Sequence, residues 1–257
     1  IRGNRIFDCH TGIQCWGLFT AKHQDTRSTK GYPDDPGACS RIIIANNRIS
    51  RTGGAGIFGA GLKDSIIVGN VCEDGGDYGI DLEWCYKVSV TGNFTRACTP
   101  AGIAMFIRTT QCTVTGNTVN MRGMPRGIWL CKYSHHNVVS GNTCAGLPVG
   151  APPGTDREKK VQMGGVTYVD AGIGIDVWMS SHNTITGNLV DGVDVGIYVG
   201  GSERNVITGN RVTAYRHGLY LHRTQDNLVT SNFLDVKPVK GERGRVIILN
   251  VEEPIPW

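Results

Sequence analysis

No apolar run in the 257 residues is long enough to span a bilayer, which excludes a transmembrane helix. No secretory leader pattern stands at the start. A strong charge of one sign is lacking too. Net charge is +4, the basic residues are scattered, and no RNA- or DNA-binding signature accompanies them, so neither nucleic acid nor membrane is expected as a partner. No Cys-x-x-Cys pair and no Cys/His cluster occurs, since Cys9-His10 stands alone, and no zinc site is expected. The nine Cys are an odd number, so they cannot all pair within the chain. An initiator Met is missing, and the chain opens on Ile1-Arg2-Gly3-Asn4. It is expected to be a processed or excised part of a longer chain.

What is present in excess is glycine, 36 residues placed at regular intervals rather than in runs. Gly-Asn or a close variant returns at Gly3-Asn4, Asn46-Asn47, Gly69-Asn70, Gly92-Asn93, Gly116-Asn117, Gly141-Asn142, Gly187-Asn188, Gly209-Asn210 and Ser231-Asn232. Apart from two long gaps the period is about 22–25 residues, which marks a solenoid. A second marker, Gly followed by an apolar residue, recurs at Gly12, Gly56, Gly79, Gly102, Gly127, Gly174, Gly196 and Gly218. Short alternating stretches follow it, such as Ile80-Asp81-Leu82-Glu83. Period-2 alternation broken by Gly and Asn predicts short strands joined by tight turns.

Each coil is expected to hold three strands: one after Gly-Asn, one after Gly-Ile and one before the next Gly-Asn. Equivalent strands stack in parallel at about 4.8 Å. Ile13, Ile57, Ile80, Ile103, Ile128, Ile175, Ile197 and Leu219 form one interior column. Ile44, Ile67, Val90, Val114, Val139, Ile185, Ile207 and Val229 form another. The Asn of Gly-Asn makes a column, as do Asn137, Asn183, Asn205 and Asn227, and stacked amides that hydrogen-bond up the column give these Asn a structural role. Cys72 and Cys144 share a column several coils apart, as do Cys9 and Cys98. That separation exceeds disulfide reach, and most Cys read as small core residues.

With units such as Asn183-Thr184-Ile185-Thr186-Gly187-Asn188 and Asn205-Val206-Ile207-Thr208-Gly209-Asn210, the chain resembles the right-handed parallel β-helix superfamily, the pectate-lyase-like fold. The resemblance covers essentially the whole chain. It implies an all-β, right-handed single-stranded parallel β-helix of about nine to ten coils of three short strands, as a single domain over residues 1–257. Members of the superfamily include polysaccharide lyases, glycoside hydrolases, uronate epimerases, phage tailspikes and adhesins, so the fold alone does not select an activity.

Of the three outer faces, the one on the Gly-Ile strand is distinctive. Its outward positions are Gln14/Trp16, Phe58/Ala60, Asp81/Glu83, Ala104/Phe106, Trp129/Cys131, Asp176/Trp178, Tyr198/Gly200 and Tyr220/His222. A contiguous aromatic stripe marks a contact surface, and flat rings suit the faces of sugars in a polysaccharide or oligosaccharide. Long insertions at about 19–40 and 146–172 are expected to wall this face. The second is also long enough to hide one degenerate coil. Trp16, Phe58, Phe106, Arg108, Trp129, Asp176, Trp178, Tyr198, Tyr220 and His222 are the expected substrate contacts.

Asp81 and Glu83 are two apart on one strand and point to the same face, in a dip at Ala60 and Ala104, with Asp77 close by. Two carboxylates about 5–9.5 Å apart serve glycoside hydrolysis, one protonated and one ionised, and proximity drives their pKa values apart. Glu83 is expected as general acid and Asp81 as base or nucleophile, with the two roles interchangeable. This first reading, a glycoside hydrolase, needs no cofactor and no metal. Alternatively the acidic coil binds Ca²⁺ around Asp74 and Asp77 in a polysaccharide lyase or C5-epimerase, for which Arg108, Arg126, Lys132, His217 and His222 are the available basic groups. A third reading is a non-catalytic glycan-binding tailspike or adhesin solenoid. The chain is expected to act as a monomer or homotrimer, in an extracellular, cell-surface or virion-associated setting.

Overall fold

The computed structural model describes residues 1–17, 39–121, 123–146, 160–163, 166–169, 172–237 and 245–249. The expected insertions at 19–40 and 146–172 therefore lie largely outside the described residues. From the second, Lys160–Met163 and Val166–Val169 pair antiparallel. Every other named strand pairing is parallel, and among the described residues no helix occurs.

The chain winds into a parallel β-solenoid with three walls. The first wall stacks the strands after Gly-Asn, in the register Arg5, Arg48, Val71, Phe94, Thr118, Thr143, Leu189, Arg211 and Phe233. The second stacks the strands after Gly-Ile, and the third those before the next Gly-Asn. Among the described residues seven coils, fewer than the nine to ten expected, follow one another with all three strands. A first coil divided by residues 18–38 and a last coil holding Phe233–Val236 and Arg245–Leu249 flank them. In the upper coils the first two walls merge, because Leu189–Gly200 and Arg211–His222 each run as one bent strand through both.

Register also resolves the second insertion. Ile128 pairs with Ile175, Val139 with Ile185 and Thr143 with Leu189. Residues 146–172 thus leave and return to adjacent levels and add no coil between them.

The interior follows from the two periodic columns. Ile57, Ile80, Ile103, Ile128, Ile175, Ile197 and Leu219 are fully buried, as are Ile44, Ile67, Val90, Val114, Val139, Ile185 and Ile207. All nine cysteines are free; seven are buried, six of them in the interior core. The Asn column is a continuous ladder: each Nδ2 donates to the Oδ1 one level on, from Asn4 through Asn47, Asn70, Asn93, Asn117, Asn142, Asn188 and Asn210 to Asn232, at 2.8–3.0 Å. The amides thereby satisfy one another at a turn removed from water. Asn137, Asn183, Asn205 and Asn227 are linked in the same sense, each backbone N–H bonding the next Oδ1 at 2.8–2.9 Å.

The glycine of Gly-Ile has a different cause. A Cβ at Gly127 would stand 2.5 Å from the Gly174 carbonyl oxygen, and one at Gly174 2.7 Å from that of Gly196. Successive coils touch backbone to backbone at this corner, so only a residue without a side chain fits. The corner lies immediately before the second wall and fixes its strands in register, which places the outward residues of that wall in two straight columns.

Candidate functional site

One outward column of the second wall reads Gln14, Phe58, Asp81, Ala104, Trp129, Asp176, Tyr198 and Tyr220. The column beside it contains Trp16, Ala60, Glu83 and Phe106, and further along Cys131, Trp178, Gly200 and His222. The expected neighbours are therefore in place. Their exposure is not uniform. Trp16 is open to water at 58%, with its ring 5.5 Å from that of Phe58. Phe58, Phe106, Trp129 and Trp178 are half-buried. Tyr198, Tyr220 and His222, expected on an open stripe, are buried at 1%, 9% and 3%. The Tyr198 hydroxyl lies 3.2 Å from His222 Nδ1, and the Tyr198 and Tyr220 rings pack edge to face at 5.6 Å. One level on, Tyr220 pairs in register with Ile248 of Arg245–Leu249.

Asp176 also departs from expectation. It is 1% exposed, and its Oδ2 accepts from Arg126 Nε at 2.5 Å. Arg126 in turn lies 3.8 Å over the Trp129 ring. Burial pushes the Asp176 carboxyl upward and Arg126 opposes that push. Both charges are engaged with each other inside the wall, so Asp176 is a structural partner of Arg126 rather than an open ligand contact. It lies three levels from Asp81, roughly 14 Å away.

The acidic coil is the part of the face where titratable groups converge. Strand Ile80–Glu83 carries two of the acids, and the turn before it carries Asp77 and Tyr78. Glu83 and Asp77 are half-buried. Asp81, expected to stand out from the strand, is enclosed at 3% exposure, and its Oδ1 has no hydrogen-bond partner among the described residues. The Tyr78 ring stands 6.1 Å from Phe106 and 6.3 Å from Trp129. Phe106 and Trp129 meet edge to face at 5.3 Å. Lys132 Nζ lies 4.5 Å over Phe106.

All three carboxyls are pushed above the ordinary range, in each case chiefly by loss of water. For Asp81 the charges of Glu83 and Asp77 add to the push. For Glu83, Lys132 opposes burial and Asp77 reinforces it. For Asp77, the Tyr78 backbone N–H and His10 oppose burial. Tyr78 is itself driven upward by burial and then by the Asp81 and Asp77 charges. Asp81 thus senses both other carboxyls, and Glu83 and Tyr78 sense Asp77, beside three aromatic rings.

A stability consequence follows from Asp81. Its folded-state pKa is raised, so the folded form keeps the proton where the unfolded chain has lost it. That costs nothing below the ordinary carboxyl value of 3.8 and grows as pH rises toward the folded-state pKa. Asp81→Asn, which cannot ionise, is therefore expected to melt a few degrees higher than the native chain at pH 7 and at the same temperature at pH 3.5. Equal melting curves at both values would show that Asp81 is hydrated or ion-paired.

Tyr78 and His10 do not stand out in the sequence as site residues. Tyr78 precedes the Gly-Ile marker rather than following it. His10 influences Asp77 across a corner where the next coils supply only Gly53-Gly54 and Gly75-Gly76, and those paired glycines are the signal that a side chain from two levels away can reach. Asp74, a candidate for Ca²⁺, faces elsewhere: it lies 3.8 Å from Arg96, which also pairs with Glu73 at 3.2 Å. Arg108 sits in the turn after Phe106, its N–H bonded to the Lys132 carbonyl.

The parallel solenoid defines a class of fold, and sequence comparison places the chain within it. Residues 1–144 match the model of the right handed beta helix region, and the chain belongs to that family. Residues 156–245 match the family described as periplasmic copper-binding protein (NosD). No curated protein matches the chain. Among solved structures it is similar to DFA-IIIase from Arthrobacter chlorophenolicus A6 in complex with GF2, with TM-score 0.51 and 18% identity over 79% of this chain and 54% of that one. It is also similar to a mutant tailspike protein of E. coli bacteriophage HK620 in complex with a pentasaccharide, with TM-score 0.50 and 14% identity over 82% of this chain and 47% of that one. At these identities the likeness is one of fold, and the chain spans about half of each structure.

Proposed function

We propose that this protein is a polysaccharide-active β-helix enzyme, a glycoside hydrolase whose chemistry takes place at the acidic coil. The observation that carries the reading is the set Asp77, Asp81 and Glu83, three carboxyls withdrawn from water beside Tyr78, Phe106 and Trp129. Glycoside hydrolysis needs one carboxylic acid that still holds its proton at working pH and one carboxylate on the other side of the bond. Glu83, half-buried with a raised pKa, is the general acid. Asp77, at the edge of the same patch, is the accessible partner carboxylate. Asp81 lies too deep to touch substrate and acts by holding a proton, or a charge, beneath the other two. The half-buried rings offer faces on which sugars stack.

Both similar structures were solved with oligosaccharides bound, which supports a carbohydrate ligand here. The periplasmic description of one family and the phage origin of the tailspike support work outside the cytoplasm. That family description also names copper. Among the described residues no three His, Cys, Asp or Glu side chains form a group able to hold a metal ion, so the described residues do not fit such a centre.

Lys132 favours a second reading. A cation beside Glu83 is what a lyase uses to neutralise a uronate carboxylate. A panel of neutral and acidic polysaccharides, followed by reducing ends and by ultraviolet absorbance, separates the two. New reducing ends without absorbance support the hydrolase. Absorbance from unsaturated uronates moves the activity to the lyase class.

A further inference from the structure

Beyond the acidic coil, the corner that follows the second wall carries a hollow of about 430 Å³ lined by Tyr133, His135, Ser181, Glu203, Arg223 and Gln225 among others. Gly201, which has no side chain, lies in its wall. Met179, Gly201 and Arg223 occupy equivalent left-handed positions at successive levels, with φ of +50°, +55° and +48°. Met179 N–H bonds the Gly200 carbonyl and Gly201 N–H that of His222, so the three are stacked. Where the neighbours project side chains, Gly201 leaves a notch.

The walls of the notch set polar groups of mixed sign beside apolar surface from Tyr133 and Met179. Gln225 Nε2 donates to Glu203 Oε2 at 2.6 Å, and that bond holds the Glu203 carboxyl below its ordinary range. His135 Nδ1 accepts the Ser181 N–H at 2.8 Å, which leaves the hydrogen on Nε2. Burial pushes the His135 pKa down, so the ring is neutral. Tyr133 is 39% exposed and lies 6.3 Å from the His135 ring. An anion would meet Glu203, and a cation would meet Arg223. An apolar ligand would strand the planar amide, carboxylate and guanidinium groups. A neutral sugar satisfies them: its hydroxyls both donate and accept, and an exposed aromatic ring covers its apolar face. The volume lies within the range of small-ligand sites.

We infer that this hollow is a second glycan-binding site, for a neutral oligosaccharide segment, separate from the acidic coil and reached past Trp178, which immediately precedes Met179. The inference rests on the reading of the protein as glycan-directed, but not on its catalysing hydrolysis.

The test is binding of the full chain to an array of neutral and acidic oligosaccharides. The native protein, Tyr133→Ala, Gln225→Ala and Glu83→Gln are compared, with turnover of the same glycans measured in parallel. The native chain and Glu83→Gln should bind neutral members equally, and Tyr133→Ala about tenfold more weakly. Should Tyr133→Ala prove less stable, Gln225→Ala, an exposed change, carries the comparison and should also bind several-fold more weakly. Native binding restricted to acidic glycans, no binding at all, or unchanged binding in both hollow variants would overturn the inference. Absent turnover in every protein, with binding weakened in the hollow variants, would overturn the hydrolase and keep the second site.

Discussion

Glu83→Gln is expected to bind its glycan as the native chain does and to turn it over about 10²–10⁴-fold more slowly, the range that removal of a general acid produces. The substitution keeps the shape and the hydrogen-bonding capacity of the side chain and removes only the proton that can be given up. Single-turnover measurement beside equilibrium binding separates these quantities. A variant that loses binding and rate together would place Glu83 in recognition rather than in proton transfer, and one that loses neither would leave a binder whose acids are spectators.

The pH profile gives an independent check through Lys132. Its charge lowers the Glu83 pKa against the upward push of burial. Removing that charge in Lys132→Met raises the Glu83 pKa further. A general acid works while protonated, so the alkaline limb of the profile should move to higher pH in Lys132→Met. Movement to lower pH would assign that limb to another group. An unmoved limb would show that Glu83 does not set it.

The fold was legible in the sequence because its determinants are periodic. A ladder of amides needs Asn at every level, and a backbone contact at a corner needs Gly at every level, so both requirements repeat along the chain. The Asn117 and Gly127 columns were visible for that reason. Where the same task is met by different residues, the signal fades. The backbone N–H of Thr109 bonds Ser134 Oγ, that of Ser134 bonds Ser180 Oγ and that of Ser180 bonds Ser202 Oγ, at 2.9–3.3 Å. This ladder resembles the Asn ladders in function, but one Thr and scattered Ser do not announce it. The site was less legible than the fold. Alternation shows which side of a strand faces outward, not what lies over it. Asp81 and Asp176 share an outward column and each buries an Oδ1 without a hydrogen-bond partner, yet only Asp176 is closed by an arginine, Arg126. The partner of Asp176, Arg126, comes from the strand one level away, and alternation along a strand does not show that the two side chains meet.

Asn117→Ala is expected to cost about 3–5 kcal/mol of stability, more than a typical single substitution. Asn117 Oδ1 accepts from the Asn93 backbone N–H at 2.9 Å and from Asn93 Nδ2 at 3.0 Å. Its Nδ2 donates to Val90 O and Asn142 Oδ1 at 2.9 Å and to Thr115 O at 3.2 Å. Alanine removes both ends of the amide and strands groups that are shut off from water, each at about 1–3 kcal/mol. The change also breaks the ladder in mid-stack, where coils below and above depend on each other only through their neighbours. Asn232 makes the same kinds of bonds, donating to Ile207 O and Thr230 O at 2.8 and 3.0 Å and accepting from the Asn210 N–H and Nδ2 at 3.0 and 2.9 Å, but these are part-buried or exposed rather than buried, so water can replace much of what Asn232→Ala removes. The second substitution should therefore cost about 1 kcal/mol, with a smaller effect on cooperativity. Urea denaturation of the two variants measures the difference directly. Equal losses would mean that the amides act one by one as turn formers. A loss at Asn117 several times that at Asn232 would mean that the ladder works as a continuous element, its strength set by how deep in the stack each rung lies.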